Sequence, residues 1–544
     1  MKKIIIIAIL ALQQLMQSSC TKELELKPLT SFSDAVVWDD PKLAELFVNN
    51  IYSRGVYAFK DAGFGWGAQS DELYSNFNWM NENTAVTGQG TQDNFASSLN
   101  FWSDLYGTVR YTNIFFNKVA ELPDEPSTVE TVRRLTGEVR FLRALTYFEL
   151  LKRFGGVPLI DKVYDVSDVD FQESRASWDE TKDFILADLE EAAALLPENF
   201  DDKNKGRATK GAALALKSRL LLYAASPRNN PDNEQSRWQQ ARDAAKAVID
   251  MGIYALHGNA AEGTYNTTFT DFFNSEVIMA RVYNETVFED RYNTYDRDMS
   301  PNGYEGYSAY NPLQQMVDDF EMADGTAFDW NNPAHAANPY QNRDPRFYAD
   351  ILANNQLFKG RLTQFFEGGD DSPQSPFSPW NASKTRYCVR KMVDESHDWL
   401  ANVPNQVQWV VFRLSEIYLN YAEACAELGE TGEAQTYLNK IRTQKAGMPE
   451  IIATGEELVQ KIRQERRIEL CFEGHRYFDI RRWNIAEIGS EDAIGVVIKK
   501  LDDNNFTYEP FVVQDRTWVP SFYLYPIPRP ETQKNPQIIQ NPNY

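Results

Sequence analysis

The stretch LSEIYLNYAEACAELGETGEAQTYLNKIR, residues 414–442, constrains the fold more than any other part of the chain. Leu414, Ile417, Tyr418, Tyr421, Ala422, Cys425 and Leu428 recur at three- and four-residue steps, the spacing of one helical face. Gly429 and Gly432 interrupt the run, and Ala434, Tyr437, Leu438 and Ile441 begin a second helix. The spacing predicts an αα-hairpin with small residues where the helices must approach closely. Such a pair buries its apolar face only by stacking on others of its kind.

The others are present. VRRLTGEVRFLRALTYFELLKRF (132–154), WDETKDFILADLEEAAALLP (178–197), RATKGAALALKSRLLLYAASP (207–227) and RWQQARDAAKAVIDMG (237–252) show the same period. With the hairpin they make about four pairs, the pattern of tetratricopeptide-like repeats. Asp179 to Leu196 carries acids early and stops at Pro197, as helix ends prefer. From 259 to 405 the texture changes: MSPNGYEGYSAYNP, NPYQNRDPRFY and GGDDSPQSPFSPWNASK mix Pro, Gly, Asn and aromatics, with strand-like alternation only around TRYCVRKMV (385–393). Residues 63–92 share this loop-like texture. Ordered loops of such length usually carry function. The expected fold is mainly α: a tetratricopeptide-like helical repeat scaffold with long irregular loops and a few short strands. Its expected divisions are a signal peptide (1–19), an N-terminal helical region (20–258), an irregular ligand-binding loop region (259–405) and a C-terminal region with a helical repeat pair (406–544).

Charge and termini narrow the function. The net charge of −23 and the absence of a clear Lys/Arg cluster argue against nucleic acid as a partner. Lys2 and Lys3 precede the apolar run Ile4 to Leu12, too short for a membrane span and right for a signal-peptide core. LMQSSC then places Cys20 at the acceptor position of a bacterial lipoprotein signal, with Gln17 where Leu is usual. Acyl chains on Cys20 would tether the body to a membrane. Cys388, Cys425 and Cys471 are scattered and form neither a disulfide framework nor a metal motif.

Nucleotide and protease motifs are missing, and GFGWG (63–67) reads as a flexible loop rather than a phosphate cradle. The four His lack the spacing of metal ligands, so no metal or cofactor is expected. RQERRIELCFEGHRYFDIRRWN (463–484) remains as the one candidate for chemistry. A catalytic reading makes Glu469 or Glu473 an acid/base with His475 or Asp479. The competing reading neutralises these acids through neighbouring arginines such as Arg466 and interleaves charge with Tyr477, Phe478, Ile480 and Trp483. That is a semi-buried ion-pair and cation–π clasp, and the residues favour it.

EGHRYFDIRRWN resembles the EGxRxxDLxRW signature of the SusD/RagB family of outer-membrane lipoproteins in Bacteroidota. GEVRFLRALTYFELLKRFGGVPLI, RATKGAALALKSRLLLYAA, FRLSEIYLNYAEACAELGE with YLNKIR, and YPIPRPETQKNPQIIQNPNY resemble its other motifs in the same order. Asn543 stands where glycine is usual. The resemblance implies a non-enzymatic binder, lipid-anchored on the outer membrane and facing the cell exterior. It also implies a SusC-like TonB-dependent transporter as partner, to which captured oligosaccharide or polysaccharide is delivered, with ligand contacts in an early segment and the irregular middle.

A glycan site needs flat aromatics for the CH faces of sugars and polar groups for their hydroxyls. Trp66, Asp71, Tyr74, Asn76, Asn78 and Trp79 supply these in one early stretch, and Tyr283, Tyr304, Tyr307, Trp330 and Trp380 supply aromatics in the middle. Two other functions stay open at this level: a binder of peptide or glycopeptide, as the RagB branch implies, and a secreted glycoside hydrolase using two of the many carboxylates.

Overall fold

The computed structural model describes residue 38 and residues 40–544, apart from 56–58, 80, 123–124, 166–171, 284–293, 402, 404, 406–407 and 503–504. The signal peptide and Cys20 lie outside the described residues. The helical frame comprises α1 (Pro41–Gly55), α2 (Phe59–Ala68), α3 (Trp102–Lys118), α4 (Pro126–Phe154), α5 (Trp178–Leu195), α6 (Lys210–Ala225) and α7 (Gln235–Ile249), followed after a long excursion by α8 (Leu414–Glu427), α9 (Thr431–Asn439), α10 (Gly455–Glu469) and α11 (Arg476–Arg482). Local chemistry marks the starts. Ser177 Oγ accepts the Glu180 N–H at 3.1 Å while Glu180 Oε2 accepts the Ser177 N–H at 2.8 Å, a reciprocal cap on α5. Thr209 caps α6 through the Ala212 N–H at 3.2 Å.

Helices α4 to α9 stack in order, each against the next, and α1 and α3 close the end at α4. The chain therefore leaves the stack after α7 and rejoins it at α8, with the irregular middle as the excursion. Helix α6 is buried around most of its circumference, as an inner member of a stack must be. The α8–α9 hairpin forms as its period predicts, but its contact is aromatic. Tyr437 packs at 4.7 Å from Tyr421 and 5.0 Å from Tyr418. Gly429 ends α8 with φ +76°, the left-handed turn that glycine adopts freely, and nothing approaches Gly429 or Gly432 within 4 Å of an added Cβ.

Two expectations fail. GFGWG lies within α2, where an added Cβ on Gly63 would meet the Trp409 ring at 2.5 Å; the glycine admits a neighbouring ring rather than granting flexibility. Strands also extend beyond 385–393. Among them, β2 (Val277–Val282) pairs antiparallel with β4 (Gln408–Arg413), β1 (Leu73–Ser75) pairs with β3 (Tyr310–Pro312), and β5 (Ala493–Lys500) forms a hairpin with β6 (Phe506–Gln514). Every residue of β4 is buried, so it carries no alternation by which to recognise it.

The Arg- and Glu-rich stretch is the brace of this frame. Arg413, at the end of β4 and 1% exposed, grips Glu473 through two nitrogens at 2.7 and 2.8 Å, Glu469 at 2.7 Å and Glu276 at 2.8 Å. Lys391 adds to Glu473 at 2.9 Å and Lys445 to Glu276 at 2.6 Å. Arg346 extends the network to Glu465 at 2.6 Å, and Arg442 from Glu465 to Glu321, each at 2.9 Å. On the other face of α10, Arg466 reaches Asp479 at 2.8 Å, and Arg482 joins Asp479 to Glu423, each at 2.7 Å. Arg481 lies 3.3 Å over the Tyr477 ring and Arg482 4.6 Å over Trp483. The acids are thus neutralised mainly by residues distant in sequence, not by helix neighbours as the spacing suggests: the Arg466 side chain turns toward α11. Burial pushes Glu469 upward, but Arg413, Lys445, Arg346 and Lys391 outweigh it and hold the carboxyl at about 2. Burial together with nearby cations, Arg219 foremost, drives His475 well below its ordinary value. Glu469 is thus held as a carboxylate among cations and His475 as a neutral imidazole. Among the described residues no helix is long and apolar enough to cross a membrane.

Removing one member of such a network leaves the others buried and unpaired. Arg413→Met is expected to destabilise the fold by about 3–5 kcal/mol, measured as a shift in denaturant midpoint; an unchanged midpoint would contradict the bracing role. Glu72, 1% exposed, behaves oppositely. Burial pushes its carboxyl up to about 8 from 4.5, against the pull of Arg467. The folded chain therefore holds a proton there that the unfolded chain releases above about 4.5, so this group's contribution to stability falls as pH rises from there to about 8. Glu72→Gln is expected to raise Tm at pH 8 and leave it unchanged at the acid end of that window, in thermal unfolding followed by circular dichroism. An equal change at both pH values would count against it.

Candidate functional site

Where β1 leaves the core, the chain turns across the surface and presents its aromatics. The Asn76 N–H donates to the Ala309 carbonyl at 2.8 Å, continuing the β1–β3 contact, and its Nδ2 donates to the Ala382 carbonyl at 3.4 Å. Asn78 adopts φ +53°, a conformation asparagine tolerates, and its Oδ1 accepts the Asn83 N–H at 3.0 Å. The result is an outward-facing pair: Trp79, 52% exposed, stacks on Phe77 with ring centroids 5.0 Å apart and planes within 13°.

The segment bonded to Asn76 carries the second exposed group. Trp380 is 68% exposed and Phe377 47%. Asn302 donates to the Phe377 carbonyl at 2.7 Å, and Asn311 on β3 accepts the Lys384 N–H at 2.9 Å. Since Asn311 lies opposite Tyr74 in the β1–β3 ladder, one small ladder seats both aromatic segments. Tyr74 is half-buried beneath them, its phenol pushed upward by burial against the pull of Arg516.

The remaining candidates divide. Trp66 is 3% exposed, meets Phe478 edge-on at 5.1 Å and lies under Lys152 and Arg153; it belongs to the core because α2 is a helix rather than a loop. Asp71 is also part of the brace. Burial raises its carboxyl, but Arg467 and Arg476 prevail and hold it well below the usual carboxylate range, Arg476 bonding both oxygens at 2.8 Å. Tyr283 is 4% exposed with Arg281 at 4.4 Å from its ring, which leaves no face for a ligand. Tyr304 and Tyr307 are half-buried. Tyr304 donates to the Phe358 carbonyl at 2.9 Å and lies under Arg361 at 3.8 Å, while Arg297 covers Tyr307 at 4.6 Å. Trp330 is half-buried in a separate cluster, donating to Asp318 at 3.1 Å; burial pushes that carboxyl up to about 6.

Of the candidates, Tyr74, Asn76, Asn78, Trp79 and Trp380 are therefore brought together, and Trp66, Asp71 and Tyr283 are withdrawn into the frame. Phe77 and Phe377 were missed. The aromatic character of Phe77 beside Trp79, and the Pro residues around Phe377 and Trp380, were signals that could have found them. Such a face, flat aromatics rimmed by amides, suits stacking against a ring with hydroxyls at its edge.

Comparison with known proteins agrees with this architecture. A family model described as "SusD family" matches residues 275–544, and one described as "Starch-binding associating with outer membrane" matches residues 33–222. The crystal structure of a SusD-like protein from Bacteroides fragilis is 30% identical, covers 94% of this chain and 99% of that one, and superposes with a TM-score of 0.80. A SusD-like carbohydrate binding protein from the same species is 25% identical, covering 92% of this chain and 99% of that one, with a TM-score of 0.78. SusD-like protein P38 of Formosa agariphila is 23% identical over 539 residues, 95% of each chain. With both halves matched and the frame shared almost end to end, the chain belongs to the SusD/RagB family.

Proposed function

We propose that this protein is a cell-surface lipoprotein that captures oligosaccharide or polysaccharide without altering it and passes it to a SusC-like TonB-dependent transporter. The observation that carries the binding part is the exposure of Trp79, Phe377 and Trp380 on two segments seated by one ladder, with Trp79 backed by the half-buried Phe77. Large exposed aromatics expose apolar surface to water at a cost and are usual where a ligand or partner covers them. The carbohydrate binding named for the Bacteroides fragilis relative and the starch-binding description of the family model support a sugar as that ligand. Passive capture is supported by the brace, which ties up the acids and the imidazole of the one motif that resembles catalytic machinery.

Shallow stacking gives modest affinity at one face, and many anchored copies on one membrane compensate through avidity. Anchoring rests on Cys20 and the leader before it. Delivery to a transporter rests on the family resemblance.

Titration calorimetry against a panel of polysaccharides is expected to find at least one ligand whose affinity drops about ten-fold in Trp380→Ala and in Trp79→Ala, the loss of one stacked ring. Binding confined to peptide mixtures, or steady release of reducing ends from the glycans, would replace this function with another. Cys20→Ser is expected to abolish incorporation of labelled palmitate and release the protein from the membrane fraction; retention of label would show that the anchor lies elsewhere.

A further inference from the structure

Close in sequence to Trp380 stand two cations that, among the described residues, have no carboxylate within ion-pair distance. Lys384 follows Trp380 by four residues and Arg386 by six. The Lys384 N–H is held by Asn311, the same ladder residue that lies opposite Tyr74. Lys384 is half-buried, and Arg386 is only 8% exposed. Among the described residues neither makes an ion pair. Arg386 donates through Nη1 to the Ser383 carbonyl at 2.8 Å and the Lys384 carbonyl at 3.4 Å, and its Nε is buried with no partner. Glu367 acts on Arg386 only at longer range.

Arg343, Arg481 and Arg516 are also buried without an ion pair among the described residues, but Arg343 and Arg516 place every donor nitrogen on an acceptor and Arg481 its Nε, whereas the Arg386 Nε has no partner and a second cation adjoins it. Acids outnumber bases, 78 Asp and Glu to 55 Lys and Arg, so carboxylates are in ample supply. The buried Arg413, Arg346, Arg442, Arg466 and Arg482 all have them within 2.9 Å. Holding two partly buried positive charges together with only the more distant Glu367 as counter-charge is costly. The strain appears in both groups: burial, then the neighbouring Arg386, pull the Lys384 ammonium below its ordinary value, and burial does the same to Arg386. An anion arriving from solvent relieves this cost, and a carboxylate or sulfate provides the acceptor oxygens that a guanidinium and an ammonium take best.

We infer that the aromatic face takes an anionic glycan, one bearing carboxylate or sulfate groups, with Lys384 and Arg386 meeting the negative group while Trp79 and Trp380 stack on the sugar rings. The inference rests on the glycan-binding function proposed above and specifies its substrate class.

Affinity electrophoresis and calorimetry on the whole chain against polygalacturonate, a sulfated galactan, laminarin and neutral xylan test it. Expected is binding to polygalacturonate or the sulfated galactan that weakens as NaCl rises from about 50 to about 500 mM. Lys384→Gln and Arg386→Gln are each expected to weaken it roughly ten-fold, with circular dichroism unchanged. Whichever acidic polymer binds identifies carboxylate or sulfate as the recognised group. Lys384→Gln, at the less buried position, keeps the test valid if Arg386→Gln fails to fold. Binding to laminarin or xylan alone, lost in Trp380→Ala, overturns the anionic class and leaves glycan capture standing. Acidic binding indifferent to Lys384→Gln overturns the role of these cations. Binding to none of the four polymers counts against both.

Discussion

Arg413 is the point on which the structure turns. A guanidinium presents its donors in a fixed plane, and here that plane is filled by Glu276 before β2, Glu469 at the end of α10 and Glu473 just beyond it. Three segments that are distant in sequence are thereby held to one geometry. A dry interior makes each of these attractions strong and makes each unpaired member expensive, so the network is nearly all-or-none. The α8 helix that Arg413 immediately precedes resumes the helical stack that the chain leaves after α7, and so the same residue joins the repeat block to the irregular middle.

The brace and the aromatic face have opposite chemistry, and one makes the other possible. Asp71 is bound by Arg467 and Arg476 from the brace, and the next few residues are β1, whose ladder with β3 seats the outward-facing segments. Rings that stack on a ligand with weak individual contacts need a support that does not move, since freedom lost on binding subtracts from affinity. The frame supplies rigidity at depth, and the surface supplies shape and charge.

The frame was legible in the sequence because helical period, early acids and stops are local signals: the expected run from Asp179 to Leu196, stopped by Pro197, lies within a residue of the helix Trp178–Leu195. The clasp was legible as scaffolding, though its pairings were not, since Glu469 finds Arg346 and Arg413 across gaps that no local spacing encodes. Strand β4 was invisible because burial on all sides erases alternation. The candidate site was half legible as surface. Residue type nominated Trp66 and Trp79 alike, and only the packing of α2 separates a ring buried at 3% exposure from one exposed at 52%. Lys384 and Arg386 escaped notice because an unpaired charge is defined by what does not stand near it, which a linear sequence cannot display.

The aromatic segments are fastened by a narrow kind of bond. Asn76 and Asn302 grip the carbonyls of Ala382 and Phe377, and Asn311 accepts the N–H of Lys384. Each fastening takes hold of the main chain and is blind to the side chains it carries. The exposed positions 377 and 380 can therefore diversify over evolutionary time, trading one ring for another, while the course of the segment over the surface is preserved. An inherited chassis of this design changes its surface chemistry by small steps, without first surrendering its fold.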